Sequence, residues 1–186
     1  MSTWLERVRE QAAGDGGPAL GVYAALVAAV VLALTGLVGV AFHQPWLFPS
    51  LGPTLMVIAE TPGQPSAHPR NVLVGHVVAV AAGWLALVVT GLRNAPPVVQ
   101  AGLDARYVTS AVIALALTVF VLQLIKMPHP PAGATTLIVA LAILRTPGQL
   151  AVIVLSVILV TLLASAVNLL ATVRQAGVTD ARVRQG

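Results

Sequence analysis

The sequence contains no cysteine and few charged or aromatic residues. Of its 186 residues, 9% are charged and 4% are aromatic, whereas 58% are hydrophobic. Without cysteine the chain has no disulfide bond and no thiolate metal ligand. Soluble domains carry roughly 25% charged residues, so this chain has too few charges to cover a surface in water. Its net charge is +4, but the basic residues form no stripe of the kind that binds nucleic acid. The sequence therefore predicts an integral membrane protein of one domain, with membrane lipids and no nucleic acid as partners.

Four apolar stretches are long enough to cross a bilayer, which takes about 20 apolar residues. They are Leu20–Phe42, Val72–Leu92, Tyr107–Ile125 and Leu150–Val173. A shorter apolar segment follows the first and the third of them, Pro45–Ala59 and Pro130–Leu144. The order long, short, long therefore occurs twice along the chain.

The two short segments share a motif, P-x-x-G-x-T, from Pro49 to Thr54 and from Pro130 to Thr135, and each is followed by Thr-Pro-Gly-Gln. We therefore predict an all-α polytopic fold of two three-segment repeats, whose second and fifth segments are broken half-helices. The predicted parts are repeat 1 (19–92), a linker (93–106) and repeat 2 (107–173). Residues 1–18 are predicted as an interfacial helix or frayed tail, and residues 174–186 as a basic tail.

Two membrane topologies are consistent with the sequence. If the short segments cross the membrane, the chain has six spans in inverted halves, and if they are re-entrant it has four spans and two loops. Lysine and arginine divide seven to three in favour of the inner side in both arrangements. Both termini are therefore predicted to be cytoplasmic. We favour six segments because the halves then form a symmetric frame.

The prolines of the short segments predict where their helices begin. Proline fits the first turn of a helix but not its interior, so the half-helices should start near Ser50–Gly52 and Pro131–Gly133. Their N-termini would lie near the midplane, where free N–H groups and the helix dipole favour an anion. Glycine allows close approach of the backbone, and hydroxyl and imidazole groups donate hydrogen bonds. The candidate binding residues are Ser50, Gly52, Thr54, His129, Pro130, Pro131, Gly133, Thr135 and Thr136.

Four further polar residues are candidates near these segments. Asn71 could hydrogen-bond the broken backbone and His76 could face the pathway, although a helix-packing role suits His76 equally well. Arg70 and Lys126 could attract anions electrostatically, or anchor the chain at the membrane edge.

The chain resembles the HPP family of integral membrane proteins at three blocks. Met127-Pro128-His129-Pro130-Pro131-Ala132-Gly133-Ala134-Thr135 contains the His-Pro-Pro for which the family is named. Residues 49–54 resemble its S-x-G-A-[ST] block, with Pro53 for the usual Ala, and residues 68–76 resemble its Q-P-R-N-x-x-x-G-H block, with His68 for the usual Gln. Members of this family are linked to nitrite transport, so the resemblance implies passage of a small anion such as nitrite.

We therefore expect a channel or carrier for a small inorganic anion, in which His129 donates a hydrogen bond and could carry a proton. The alternatives are a structural or regulatory membrane subunit without flux and, with less support, an intramembrane enzyme. We expect no catalytic activity, no cofactor and no bound metal. We also expect a homo-oligomer, with a dimer favoured, in a bacterial inner membrane.

Overall fold

The computed structural model describes residues 17–183, with side chains from 17 to 170 apart from residue 19. The predicted interfacial helix within residues 1–18 and the end of the basic tail lie outside the described residues. All regular structure in the described part is helical. The helices are α1 (Pro18–Phe42), α2 (Leu51–Glu60), α3 (Pro69–Val89), α4 (Val98–Ala101), α5 (Ala105–Leu124), α6 (Ala132–Ala140) and α7 (Pro147–Val183), with a 3₁₀ turn at Pro65–Ala67.

Four helices, α1, α3, α5 and α7, are long and apolar enough to cross a membrane. The all-helical membrane fold is therefore confirmed. Each long helix begins two or three residues before the apolar stretch that predicts it. Three of them begin at a proline, which is well suited to the first helical position. At its other end α7 continues to Val183, so that residues 174–183, predicted as a tail, have a helical backbone.

The remaining long helix, α5, is capped by Asp104. Its carboxylate accepts hydrogen bonds from the backbone N–H groups of Arg106 at 2.8 Å and Tyr107 at 3.1 Å. The Tyr107 N–H bond and the Arg106 side chain lower the pKa of Asp104. This cap satisfies two of the N–H groups that a helix start leaves free.

The short helices α2 and α6 contain 10 and 9 residues. At a rise of about 1.5 Å per residue each spans roughly half of the ~30 Å hydrocarbon layer. They begin at Leu51 and Ala132, as the prolines predict. Ala132 clusters with Ala79, the central residue of α3, so α6 begins at about half the depth of the bundle.

The first short segment returns the chain to the end of the bundle where α1 begins. The hydroxyl of Tyr23, near the start of α1, donates to the Asn168 side chain. The Asn168 amide donates to the carbonyl oxygen of Ile58, near the end of α2, at 3.3 Å. We call the end that contains Tyr23, Ile58 and Asn168 the tyrosine end.

The second short segment finishes at the opposite end of the bundle. The Ser110 hydroxyl, in the second turn of α5, donates to the Ala140 carbonyl oxygen at 2.8 Å. The backbone N–H of Val98 donates to the Leu141 carbonyl oxygen at 3.1 Å. The end of α6 therefore lies beside the start of α5, at what we call the linker end.

The two short helices therefore finish at opposite ends of the bundle. The start of α1 and residue 168 of α7 both lie at the tyrosine end. The arrangement of six spans favoured from the sequence stays a prediction. The inverted symmetry of the halves and the cytoplasmic position of the termini stay predictions.

A stripe of small residues on α3 brings the second short segment close. A Cβ added to Gly75 would lie 2.9 Å from His129 Cβ, and one added to Gly83 would lie 2.7 Å from Val139 Cβ. Ala79, between them, clusters with Ala132. Association of helices in lipid depends on such close packing, since lipid tails are as apolar as the side chains they would replace.

We predict that Gly83→Ala destabilises the fold by about 1–3 kcal/mol, because the added methyl group overpacks a rigid contact. The control is Gly21→Ala in α1, where an added Cβ meets nothing within 4 Å. Thermal unfolding in detergent should show a lower midpoint for Gly83→Ala and no loss for Gly21→Ala. Equal midpoints would contradict the close contact between α3 and α6.

Candidate functional site

Four buried polar side chains meet where the two short helices begin. They are Thr54 in α2, His76 in α3, His129 before α6 and Thr135 in α6, and each is at most 1% exposed. His76 Nε2 lies 3.0 Å from Thr54 Oγ1, and His76 Nδ1 lies 2.8 Å from Thr135 Oγ1. The two imidazole Nε2 atoms are 3.2 Å apart. The first turns of both short helices are thus joined through one imidazole, and we call these four residues the imidazole cluster.

The local sequence places the two rings side by side. Pro128 and Pro130 flank His129 in the segment that leads into α6. Gly75 has no side chain, so the His129 ring lies directly against α3, next to His76. The ring centroids are 5.0 Å apart. On its other side His129 Nδ1 lies 2.8 Å from the carbonyl oxygen of Ser66, in the 3₁₀ turn before α3.

The hydrogen bonds allow one arrangement of protons with both imidazoles neutral. The Ser66 carbonyl can only accept, so His129 carries its proton on Nδ1 and presents a bare Nε2. A proton on His76 Nε2, directed at His129 Nε2 and Thr54 Oγ1, avoids two bare nitrogens facing each other at 3.2 Å. The Thr54 hydroxyl donates to the Ser50 carbonyl at 2.8 Å, and the Thr135 hydroxyl donates to the bare His76 Nδ1. Every N–H and O–H of the cluster therefore has a hydrogen-bond acceptor within the protein.

Ser50, the residue before α2, differs from the cluster residues in its hydrogen bonding. Its side chain is fully buried, and its hydroxyl has no hydrogen-bond partner in the described structure. A buried hydroxyl without a partner costs about 1–3 kcal/mol. Such a group requires an explanation, of which an unseen water or ion is one.

Several backbone N–H groups at the predicted anion site are already paired. At the start of α6 the N–H groups of Ala132 and Gly133 donate to the carbonyls of His129 and Pro130, both at 3.0 Å. At the start of α2 the N–H of Leu51 donates to the Phe48 carbonyl at 2.9 Å. The N–H groups of Leu51, Ala132 and Gly133 are therefore not free, because the tight turns before each helix supply acceptors for them. The donors that converge are hydroxyl and imidazole groups.

Thr136 lies outside the imidazole cluster, although the sequence groups it with Thr135. Its hydroxyl bonds to Thr118 of α5 at 2.9 Å and to the carbonyl of Ala132. Successive residues of a helix point about 100° apart, so only one of the two threonines can face α3. This correction assigns Thr136 to the contact between α6 and α5.

The remaining residues predicted for the short segments lie around the cluster. An added Cβ at Gly133 would meet Leu115 of α5 at 3.5 Å, and one at Gly52 would meet nothing within 4 Å. Neither glycine is therefore required by a close contact. Pro131 is buried as the residue before α6, whereas Pro130 is exposed.

The candidates at the tyrosine end also take no part in the cluster's hydrogen bonds. Asn71 is half-buried in the first turn of α3. Arg70 and Lys126 are exposed, and Lys126 has a left-handed backbone with φ of 55° just after α5. Their position at one end of the bundle fits the predicted electrostatic role rather than direct binding.

A cavity of about 260 Å³ borders His129 on the side of α5. It is large enough for several waters or a small anion. Most of its walls are apolar, and its lining includes His129, Thr118, Gln123, Pro130 and Gly133. It therefore leads from the surface between α5 and α6 to the edge of the imidazole cluster.

The cluster offers two imidazoles and two hydroxyls as possible ligands. Within the described residues, no group of three or more histidine or carboxylate side chains gathers in one place. The arrangement is thus suited first to hydrogen bonding and proton transfer.

A sequence model of the HPP transmembrane region matches residues 17–177. The chain belongs to the HPP transmembrane family. It is also similar to a transmembrane protein of Dictyostelium discoideum, with 28% identity over 97 residues. That match covers 52% of this chain and 30% of the Dictyostelium protein. No solved structure gives a significant match.

In this HPP protein, sequence reasoning missed two parts of the site. The Ser66 carbonyl, which orients His129, lies in a turn with no chemical signature in its side chain. Gly75 is the second, and the sequence marks it only as a member of the block from 68 to 76. Its signal is its position beside His76, because a glycine next to a buried histidine leaves space for a second ring.

We predict that His129 is the Nδ1–H tautomer and His76 the Nε2–H tautomer when both rings are neutral. Nitrogen-15 NMR of histidine-labelled protein in lipid measures this directly. His76→Asn and His129→Asn variants assign the signals. An Nε2–H tautomer for His129 would contradict the proton arrangement deduced from the Ser66 contact.

Proposed function

We propose that this protein lets a small inorganic anion cross the membrane through the region of the imidazole cluster. The observation that carries the proposal is the fully buried Ser50 hydroxyl without a partner, next to the start of α2. Thr54, one turn further on, is hydrogen-bonded to the Ser50 carbonyl and to His76. A buried hydroxyl without a partner, on the residue whose carbonyl accepts from Thr54 of the cluster, can donate to an anion, and the cluster holds no carboxylate that would attract a cation.

Nitrite is the candidate that the family supports best. Members of the family that this chain resembles are linked to nitrite transport. Nitrite is small, planar and a good acceptor of hydrogen bonds from hydroxyl and imidazole groups. Other small anions share this chemistry, so the flux assay compares nitrite with nitrate, formate and chloride.

We further infer a carrier rather than an open channel. The four cluster side chains are at most 1% exposed, and their donors are paired with one another or with the carbonyls of Ser50 and Ser66. An anion can enter only if some of these bonds break, which implies a conformational change during each passage. The cavity beside His129 provides a route to the cluster from the α5 side.

We predict that His129→Ala and Thr135→Val each lower nitrite flux into proteoliposomes by roughly 10- to 100-fold, the range expected for loss of a hydrogen bond that stabilises a charge. The matched control is His43→Asn, an exposed residue with φ of 51° that asparagine tolerates. Its flux should equal that of the unmodified protein. Unchanged flux in both cluster variants, with normal folding, would count against the proposal.

Two serine substitutions separate ligand binding from folding. Ser50→Ala removes a hydroxyl with no partner, so it should lower nitrite flux without lowering the unfolding midpoint. Ser110→Ala removes the bond to the Ala140 carbonyl and should destabilise the protein by about 1–3 kcal/mol, with flux per folded molecule retained. Flux normalised to folded protein and thermal unfolding in detergent give both readouts. Normal flux for Ser50→Ala would remove the main support for the site.

A further inference from the structure

We propose that His76 and His129 together bind a single proton and that this proton crosses the membrane with the anion, as a one-to-one cotransport. The inference rests on the function proposed above and names the second substrate of the same site. It is carried by the contact of 3.2 Å between the two Nε2 atoms and by their partners on the opposite ring nitrogens.

One added proton fits the pair in only one way. In the neutral cluster the His76 Nε2–H already points at the bare His129 Nε2. The added proton therefore goes to His76 Nδ1, the other bare nitrogen of the pair. The proton between the two Nε2 atoms can then reside on either ring, and the bonds to Ser66 and Thr135 stay in place. A second added proton would place two N–H groups face to face at 3.2 Å, so the capacity is one.

The added proton releases a donor for the anion. Once His76 Nδ1 carries a proton, it donates to Thr135 Oγ1, 2.8 Å away. The Thr135 hydroxyl then loses its acceptor and becomes free at the first turn of α6. The neutral cluster has no donor to spare, whereas the protonated cluster has one free hydroxyl and a positive charge. Binding of the proton and of the anion is therefore mutually favourable.

The surrounding charges do not neutralise this proton. The titratable and charged groups on the neighbouring elements are Glu60 at the end of α2, His68 and Arg70 at the start of α3, Lys126 before His129, Asp104 and Arg106 at the start of α5, and Arg145 before α7. Among residues 17–170, none of these groups forms a hydrogen bond or ion pair with either imidazole. An isolated charge inside a membrane is costly, so the proton's charge is best compensated by the anion itself.

The test uses proteoliposomes that contain a pH-sensitive dye, with nitrite flux and internal pH recorded together. One proton should enter for each nitrite. An imposed potassium diffusion potential should not alter the initial rate, because the complex that crosses carries no net charge. A tenfold proton gradient should support up to about a tenfold nitrite gradient. Protein-free vesicles correct for diffusion of nitrous acid.

The key variant is His76→Asn, whose amide can still donate to His129 but cannot carry a proton. Any remaining nitrite flux should lose its proton coupling and respond to the imposed potential. The matched control is His68→Asn, an exposed residue before α3 where asparagine is a good N-cap. This control should keep one proton per nitrite.

The experiment distinguishes failure of the cotransport proposal from failure of the proposed function. Nitrite flux that follows the membrane potential and moves no protons would overturn the cotransport and leave the proposed function standing. Absence of any anion flux in the unmodified protein would overturn the proposed function. In that case nitrogen-15 NMR still tests the proton site, because one added proton per chain should be shared by His76 and His129. Independent protonation of both rings would overturn it.

Discussion

The fold depends on a constraint that the hydrocarbon layer imposes, which is that each polar group must find its partner inside the protein. The imidazole cluster meets this constraint with few atoms. Of its four side chains, His76 alone contacts side chains of both short helices, through Thr54 and Thr135. Loss of the Thr135 hydroxyl leaves His76 Nδ1 without a partner in a medium that offers none. The register of α2, α3 and α6 is therefore set by hydrogen bonds as well as by packing.

Close packing makes these hydrogen bonds possible. Gly75 and Gly83 remove the side chains that would hold α3 away from His129 and Val139. Since burial in lipid gives little hydrophobic gain between helices, short distances and shared polar groups provide most of the specificity. Glycine next to a buried histidine serves both purposes, because it lets one ring lie beside another at 5.0 Å between centroids.

Much of the fold could be predicted from hydropathy and proline positions. The long helices follow from uninterrupted apolar stretches, and the starts of the short helices follow from prolines that fit only a first turn. The sequence could assign Thr54 and His76 to the same site, but it could not predict that they are in contact. Sequence spacing does not say which face of α3 meets α2. Thr135 and Thr136 illustrate the same limit. They are adjacent and chemically identical, and only the position of α5 assigns Thr136 to Thr118.

The backbone N–H groups at the helix starts and the Ser50 hydroxyl differ in whether they have a hydrogen-bond partner, and this decides which of them points to a ligand. The N–H groups of Leu51, Ala132 and Gly133 are bonded to carbonyls of the preceding turns, so they need no ligand. The Ser50 hydroxyl is equally buried but has no partner. Alanine at this position would fill nearly the same space without the cost of an unpaired hydroxyl, about 1–3 kcal/mol. The fold alone therefore does not explain the hydroxyl, whereas the anion proposed above would explain it by accepting its hydrogen bond.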